Sequence, residues 1–292
     1  MAFNGLSFRL YFAARYLGVG ALLRRWPSMA QRVRRLMVFP LQETPIWVRV
    51  RSGLSQGLWM RLDLPREVRL WRGEHETAVQ EAILAVICPG AVVYDIGAHA
   101  GSISLGAARL AGSLGRVVAF EADPKNVSRL RENCLRNNLT ASLQIVPSAV
   151  WTYTSPEIPF RCGGAQRMHG GVEADGQRPV LGSGEMINVP AITLDDFIAS
   201  GGPMPLLVKI DVEGGEYEVL RGGTNLFAKQ RPLIIAEVHH NQAADQIDAW
   251  LIEHQYRGRW TIPNENFPRC LFAWPQEYDG AAWLETSTRT PH

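Results

Sequence analysis

Acidic residues close several of the apolar runs that are typical of buried parallel strands. Asp95, Glu121 and Asp211 each end such a run, and Glu237 stands one residue before the end of another. In a parallel sheet flanked by helices, ligands bind beyond the carboxyl ends of the strands, where these side chains would meet. A single carboxylate at a strand end can simply cap the next helix. The placement of all these acids at one edge of the sheet instead indicates a polar binding site that accepts hydrogen bonds or takes up a proton.

A glycine-containing turn follows Asp95, with the sequence Gly97-Ala98-His99-Ala100-Gly101. Glycine lets the backbone approach a ligand closely, and the start of a helix offers N–H donors. Glu121 stands 24 positions after Gly97, where nucleotide-binding sheets carry an acid that binds a ribose hydroxyl. The turn and the acid together predict a ligand of adenosine type and leave NAD and S-adenosylmethionine both open.

A second polar segment, Lys209-Ile210-Asp211-Val212-Glu213-Gly214-Gly215-Glu216, lies within and just after the fourth expected strand. Hydride transfer does not need so many carboxylates. Methyl transfer from a sulfonium cation fits better, because acids can orient the cationic donor and take a proton from the acceptor.

Three segments of the chain resemble the FkbM-type S-adenosylmethionine-dependent methyltransferases. They are the run from Val93 to Gly101, Phe120-Glu121-Ala122-Asp123-Pro124, and the block from Lys209 to Glu216. The resemblance covers about residues 70–240 and implies O-methylation of a sugar or natural-product hydroxyl on a seven-stranded Rossmann-like sheet. His99 departs from the family pattern, in which Asn is commoner.

The predicted donor site combines the glycine turn with the acids at the sheet edge. Gly97 and Gly101 are expected at the methionine end of the donor, and Glu121 at its ribose. Ala122 and Ser148 are placed at the adenine, while Asp95 orients the glycine turn or the donor's amino group. The predicted donor-binding residues are Asp95, Gly97, His99, Gly101, Glu121, Ala122, Ser148 and Asp211.

The predicted catalytic residues are Asp211, Lys209, Glu237 and His239. Asp211 is the first candidate for acceptor positioning or proton removal, and Lys209 shares its strand face by alternation. Glu237 and His239 share a face in the same way, and either can act as general base. Carboxylates suit hard cations such as Mg²⁺, but spacing does not establish a metal site, and no required metal is predicted.

Strands and helices alternate about five times from residue 91 onward, which predicts an α/β fold: a mostly parallel class I methyltransferase sheet with helices on both faces. Residues 71–292 are assigned to this methyltransferase domain and 41–70 to a β-hairpin. Residues 151–190 are expected to form an irregular insertion with short strands. Within it, Arg161, Arg167 and His169 suit either an acceptor-binding loop or a solvated surface excursion.

The charge is unevenly distributed along the chain. Residues 1–40 contain seven arginines and no acid, whereas acids outnumber bases in the remainder. The basic segment is predicted to be an amphipathic helical extension that touches an anionic membrane surface or covers an apolar face. The acidic remainder argues against a nucleic-acid-binding core.

The four cysteines lack zinc-site or disulfide-framework spacing, and the longest early apolar run is shorter than the roughly 20 residues that a membrane span needs. These features predict a cytoplasmic protein, peripheral to the membrane at most, that acts on a small-molecule or glycan acceptor. Two alternatives stay open: an NAD(P)-linked oxidoreductase, and a membrane- or partner-binding protein with a vestigial nucleotide site.

Overall fold

A computed structural model describes residues 45–64, 66–163, 171–172, 184–261 and 268–278. The predicted helical extension over residues 1–40 lies outside these residues, as do Arg167 and His169.

The central sheet has seven strands: β3 (Val92–Ile96), β4 (Arg116–Phe120), β5 (Leu143–Val146), β10 (Leu207–Ile210), β11 (Leu233–Val238), β12 (Tyr256–Thr261) and β13 (Arg269–Pro275). Their order across the sheet is β5-β4-β3-β10-β11-β13-β12. All neighbouring strands are parallel except β13, which runs antiparallel to both β11 and β12. This mostly parallel order confirms the predicted class I methyltransferase fold.

Helices cover both faces of the sheet, because successive side chains on each buried strand point to opposite faces. Val93 belongs to one apolar core and its neighbour Tyr94 to the other. The first core includes residues of α1 (Val68–Arg72), α2 (Thr77–Val86), α3 (Ser102–Ala111) and α4 (Pro124–Arg136). The second includes residues of α5 (Leu194–Ala199), α6 (Glu216–Arg221), α7 (Thr224–Lys229) and α8 (Asn241–Glu253).

The predicted hairpin consists of β1 (Ile46–Arg49) and β2 (Trp59–Leu62), paired antiparallel. Asparagines of α4 and its C-cap complete the hydrogen bonding of β2: the backbone N–H of Trp59 donates to Asn137 Oδ1 at 2.9 Å, and that of Arg61 donates to Asn133 Oδ1 at 2.7 Å. Met60 and Leu62 are fully buried in the first core. The hairpin therefore packs as part of the core on the α4 side.

The segment expected to be an irregular insertion is more regular than its composition indicates. A second sheet consists of β6 (Ala149–Val150), β7 (Ser155–Arg161), β8 (Gly171–Val172) and β9 (Met186–Ile192), in the order β6-β9-β7-β8. Its own apolar cluster includes Trp151, Ile158 and Phe160. Short strands were expected here, but their assembly into one sheet depends on pairing between residues about 30 positions apart, which local periodicity does not reveal.

Among the described residues, no helix is long and apolar enough to cross a membrane.

Candidate active site

The site forms where the strand order of the central sheet reverses. The chain runs outward from β3 to β4 and β5, then returns to the other side of β3 with β10 and β11. Such a point leaves a crevice at the carboxyl ends of the two central strands. Gly97 follows β3 and Asp211 follows β10, and the backbone N–H of Asp211 donates to the carbonyl of Ile96 at 3.0 Å. The two segments that the sequence singled out are therefore neighbours at this crevice.

Gly97 is required by a close approach of two backbones. Its φ is 80°, and a Cβ at this position would lie 1.8 Å from the carbonyl oxygen of Asp211. Only glycine fits a position that combines a left-handed conformation with such a contact.

Gly97→Ala is therefore expected to destabilise the fold by more than Gly57→Ala does. Gly57 has the same φ of 80°, but a Cβ added there would have nothing within 4 Å, so both variants incur the same conformational penalty. The excess for Gly97→Ala should be about 1–3 kcal/mol, as for overpacking. Urea unfolding of the two variants measures it, and equal midpoints would contradict the close approach.

Glu121 connects the glycine turn to the start of α4. Its carboxylate accepts a hydrogen bond from the backbone N–H of His99 at 2.7 Å and another from that of Asp123 at 2.8 Å. Burial raises the pKa of Glu121 to about 7, although these two amides and Asn126 act in the opposite direction. Since a carboxylate has room for about four acceptor contacts, Glu121 can still receive hydrogen bonds from a ligand.

A cavity, here called the donor cavity, opens beside Glu121 between the edge of the central sheet and the second sheet. Its lining includes the predicted residues Gly97, His99, Glu121, Ala122, Ser148 and Asp211. Its lining also includes Asn126, Trp151, Phe160, Val172 and Glu213, of which only Glu213 belongs to a segment that the sequence singles out. No local pattern pointed to Phe160 or Val172, because they reach the cavity only through the folding of the second sheet.

Three predicted donor-site residues have additional structural contacts. The Ser148 hydroxyl donates to the carbonyl of Pro190 at 2.9 Å and so ties the cavity wall to β9. The His99 ring lies 3.1 Å from the guanidinium of Arg129, which itself forms two 2.9 Å hydrogen bonds with Glu67. Gly101 has a φ of 89° at the N-terminus of α3, and a Cβ there would clash with Leu130. Gly101 shapes the turn and is absent from the described cavity lining.

Lys209 lies at the centre of a buried carboxylate cluster on the α2 side of the sheet. Its ammonium is 3.3 Å from Asp211, 3.6 Å from Asp95 and 3.9 Å from Glu76. Burial opposes the charged form of Lys209, but these carboxylates outweigh it and raise the pKa well above its usual value. Lys209 is 3% exposed, so it acts as an internal counter-ion. Lys209 and Asp211, which share a strand face as predicted, form an ion pair, and two further acids, Asp95 and Glu76, lie beside the same ammonium.

Asp95 faces this cluster rather than the donor cavity. It is 1% exposed and accepts a hydrogen bond from the Ser104 hydroxyl in the first turn of α3. Burial raises the pKa of Asp95, with Lys209 and Ser104 acting in the opposite direction. Of its two predicted roles, orientation of the glycine turn is the one that these contacts favour.

Glu237 extends the cluster along β11. Carboxylate oxygens of Glu76, Asp211 and Glu237 all lie within 4.8 Å of one another. Burial, followed by the charges of Asp211 and Glu76, raises the pKa of Glu237 to about 7. In contrast, the pKa of Glu76 is lowered, because Lys209 and His75 outweigh its burial. Glu237 therefore exchanges a proton near neutral pH, whereas Glu76 remains ionised there.

His239 is held in its charged form by acids on α6 and the preceding loop. Its Nδ1 lies 2.8 Å from Glu216, and its Nε2 lies 3.7 Å from Asp211 and 3.6 Å from Glu213. Burial opposes protonation, but the hydrogen bond to Glu216 and the three negative charges raise the pKa of His239 to about 10. The neighbouring His240 caps α8, where its side chain accepts from the backbone N–H of Ala243.

Two groups of side chains in the described part of the chain have a spacing that can hold a cation: Asp211 with Glu213 and His239, and Glu76 with Asp211 and Glu237. In the first group His239 is itself a cation at neutral pH, because its pKa is raised to about 10, and in the second group the ammonium of Lys209 already lies beside Glu76 and Asp211.

One protein family, one relative and two solved structures are similar to this chain. The family described as the methyltransferase FkbM domain matches residues 95–257. The hexuronic acid methyltransferase AglP of Haloferax volcanii is 30% identical over 206 residues, which cover 66% of this chain and 79% of AglP. A crystal structure of methyltransferase FkbM from Methylobacillus flagellatus aligns with a TM-score of 0.47 and 16% identity, over 64% of this chain and 44% of that chain. An S-adenosylmethionine-dependent O-methyltransferase from Thermotoga maritima aligns with a TM-score of 0.42 and 12% identity, over 80% of this chain and 78% of that chain.

Proposed function

Since the chain belongs to the FkbM methyltransferase family, we propose that it transfers a methyl group from S-adenosylmethionine to a sugar hydroxyl. The observation that carries this proposal is the donor cavity at the strand-order reversal, with Gly97 and Glu121 on its wall. The family membership favours methyl transfer over the NAD(P)-linked chemistry that the glycine turn alone left open.

The residues around the donor cavity fit S-adenosylmethionine at both of its ends. Glu121 would accept hydrogen bonds from the ribose hydroxyls, and the indole of Trp151 and the ring of Phe160 would cover the adenine. Near Gly97, the carboxylates of Asp211 and Glu213 face the cavity and would offset the positive charge of the donor. When bound, S-adenosylmethionine supplies an electrophilic methyl group, and the bonding electron pair stays on its sulfur.

Glu237 is the general base that we assign for the acceptor hydroxyl. At neutral pH its pKa of about 7 keeps a large fraction of the carboxylate able to accept a proton. His239, the other predicted base, has a pKa of about 10 and is already protonated at that pH. We therefore assign His239 to a positioning role, in which it holds Asp211 and Glu213 beside the donor cavity. Lys209 keeps Asp211 in place from the buried side.

A sugar acceptor is supported by the name of the archaeal relative, a hexuronic acid methyltransferase, and by the hydroxyl chemistry to which a carboxylate base is suited. The test is transfer of a labelled methyl group from S-adenosylmethionine into a fractionated cell extract, followed by glycosidase treatment of the labelled product. Release of labelled monosaccharides is the expected result. Label in protein or nucleic acid alone would contradict the sugar assignment.

Donor use is tested separately by thermal shift with S-adenosylhomocysteine and with NAD(P). We expect stabilisation by S-adenosylhomocysteine, because a ligand that binds only the folded state raises its apparent stability. Stabilisation by NAD(P) alone would overturn the methyltransferase assignment.

A further inference from the structure

The β1–β2 hairpin has an outer face, here called the hairpin face, on which tryptophan and arginine alternate. Successive side chains of a strand point to opposite sides, and those on the outer side are Trp47 and Arg49 of β1 and Trp59 and Arg61 of β2. The residues between them belong to the first apolar core or pack against it. In the strand register Trp47 pairs with Arg61 and Arg49 pairs with Trp59. Each indole therefore has an arginine directly opposite on the neighbouring strand.

Arg136, the last residue of α4, extends the hairpin face. Its guanidinium carbon lies 5.7 Å from the ring centre of Trp47 and 5.3 Å from that of Trp59. The guanidinium carbon of Arg49 lies 5.2 Å from the ring centre of Trp59. A guanidinium within about 6 Å of an indole is attracted to the ring, so the two tryptophans hold both arginines at the surface.

The hairpin face is exposed and carries a positive charge. Trp47 is 40% exposed, and Arg49 and Arg136 are also exposed. Arg61 is paired with Glu132 at 2.5 Å. In the part of the chain that the structure describes, Arg49 and Arg136 contact the indoles and form no ion pair with an acid. An anionic partner with an apolar component would match this combination of side chains.

The basic segment of the chain leads directly into the hairpin face. Residues 1–40 contain seven arginines and no acid, and β1 begins at Ile46. Since like charges repel, this segment is a poor match for a face that carries Arg49 and Arg136. An anionic surface would attract both the segment and the hairpin face.

A lipid surface matches the hairpin face better than a nucleic acid does. Single-stranded nucleic acids bind largely by stacking their bases on aromatic rings. The Trp59 ring already has Arg49 and Arg136 over it, so a base would have to displace a guanidinium. At a membrane interface, in contrast, indoles lie at the level of the headgroups, and a guanidinium can pair with a lipid phosphate.

We propose that the hairpin face docks the protein on an anionic lipid bilayer, with Trp47 at the level of the headgroups and Arg49 and Arg136 paired with lipid phosphates. Docking of this face does not depend on the proposed sugar methyltransferase function, and it adds a contact within the described structure to the one predicted for residues 1–40.

The test is flotation of the full chain with vesicles of phosphatidylcholine and phosphatidylserine, or of phosphatidylcholine alone. We expect binding to the anionic vesicles that weakens as salt is raised, because salt screens exposed charges. The double variant Arg49→Gln/Arg136→Gln should bind these vesicles about tenfold or more weakly, since each arginine near an anionic membrane contributes separately to the attraction. Trp47→Ala should also bind more weakly, and Trp47→Phe should recover part of the loss.

Matched variants separate the hairpin face from net charge and from folding. Arg257→Gln/Arg259→Gln removes two exposed arginines of β12, at the sheet edge opposite β5, and should bind as the unaltered protein does. Arg49→Lys/Arg136→Lys keeps the charge and should retain most of the binding. Near-ultraviolet circular dichroism checks that each variant is folded.

Three results would overturn the proposal. The first is no binding of the unaltered chain to anionic vesicles, and the second is equal binding by the unaltered chain and folded Arg49→Gln/Arg136→Gln, which would leave residues 1–40 as the membrane contact. The third comes from titration with a fluorescent single-stranded RNA oligonucleotide: binding tighter than that to vesicles, and lost in the same double variant, would assign the hairpin face to nucleic acid.

Discussion

Glu121→Ala is expected to weaken binding of S-adenosylhomocysteine by about 100-fold or more. Hydrogen bonds to a charged group contribute about 1.5–3 kcal/mol each, and two ribose hydroxyls would lose their shared acceptor. The variant also leaves the backbone N–H groups of His99 and Asp123 without the carboxylate to which they donate. Isothermal titration calorimetry at pH 8 gives the affinity.

Two further variants support the interpretation of this result. Glu121→Gln keeps one oxygen for the amide donors and should recover part of the affinity, whereas Glu81→Ala alters an exposed acid of α2 and should have no effect. Near-ultraviolet circular dichroism checks that each variant is folded. If folded Glu121→Ala bound S-adenosylhomocysteine as tightly as the unaltered protein, the ribose assignment would be wrong.

The affinity should also depend on pH through Glu121. Its pKa of about 7 in the ligand-free protein means that protonated and ionised forms coexist at neutral pH, and the ionised form is the stronger acceptor. Affinity for S-adenosylhomocysteine should therefore rise between pH 6 and pH 8 in the unaltered protein. The rise should be absent from Glu121→Ala.

Glu237→Gln is expected to lower the rate of methyl transfer by about 10²–10⁴-fold, the usual contribution of general base catalysis. Donor binding should change little, because Glu237 is absent from the described lining of the donor cavity. The measurement is labelled-methyl transfer into the responsive extract fraction, alongside calorimetry with S-adenosylhomocysteine. Unchanged transfer by a folded variant would remove Glu237 from the mechanism.

The pH profile distinguishes Glu237 from His239 as the base. Since the base must be ionised, the rate should rise as pH increases through about 7 and then level off. A base with the pKa of His239 would instead give a rise near pH 10. An inflection near 10 without one near 7 would favour His239.

The raised pKa of Glu237 also makes the free energy of unfolding depend on pH. Because the pKa of Glu237 is raised from 4.5 to about 7 by folding, the folded state binds more protons than the unfolded state between these values. The contribution of Glu237 to the free energy of unfolding should therefore fall as pH rises from 4.5 to about 7. Relative to the unaltered protein, Glu237→Gln should gain stability across this window, as measured by urea unfolding.

Much of the sheet, and the segments that meet at the candidate site, were predictable from local sequence. The apolar runs that end in Asp95, Glu121 and Asp211 correspond to β3, β4 and β10, because a strand buried on both faces is apolar throughout. The helix after Asp123 has local start signals, because this aspartate accepts from the backbone N–H of Lys125 and proline stands in the first turn. Such signals are encoded within a few residues.

Other features depend on contacts between distant segments. Trp151, Phe160 and Val172 come together because β6 to β9 fold over the sheet edge. Glu76 approaches Lys209 across 133 positions, so its part in the buried carboxylate cluster could not be predicted from spacing. The different pKa values of Glu237 and His239 also arise from neighbours on other elements, and these decide which of the two suits a base.

The sequence alone determined the parallel sheet, the glycine turn and the row of acids at its carboxyl edge, because strand periodicity, turn chemistry and motif spacing are local properties. Only the tertiary structure decided where each acid points. Glu121 and Asp211 face the donor cavity, whereas Asp95 turns inward to Lys209 and Ser104. The reason is geometric: the strand order brings β3 and β10 together with Asp95 inside β3, level with Lys209, whereas Glu121 and Asp211 come directly after the last residues of β4 and β10 and so lie at the open edge of the sheet.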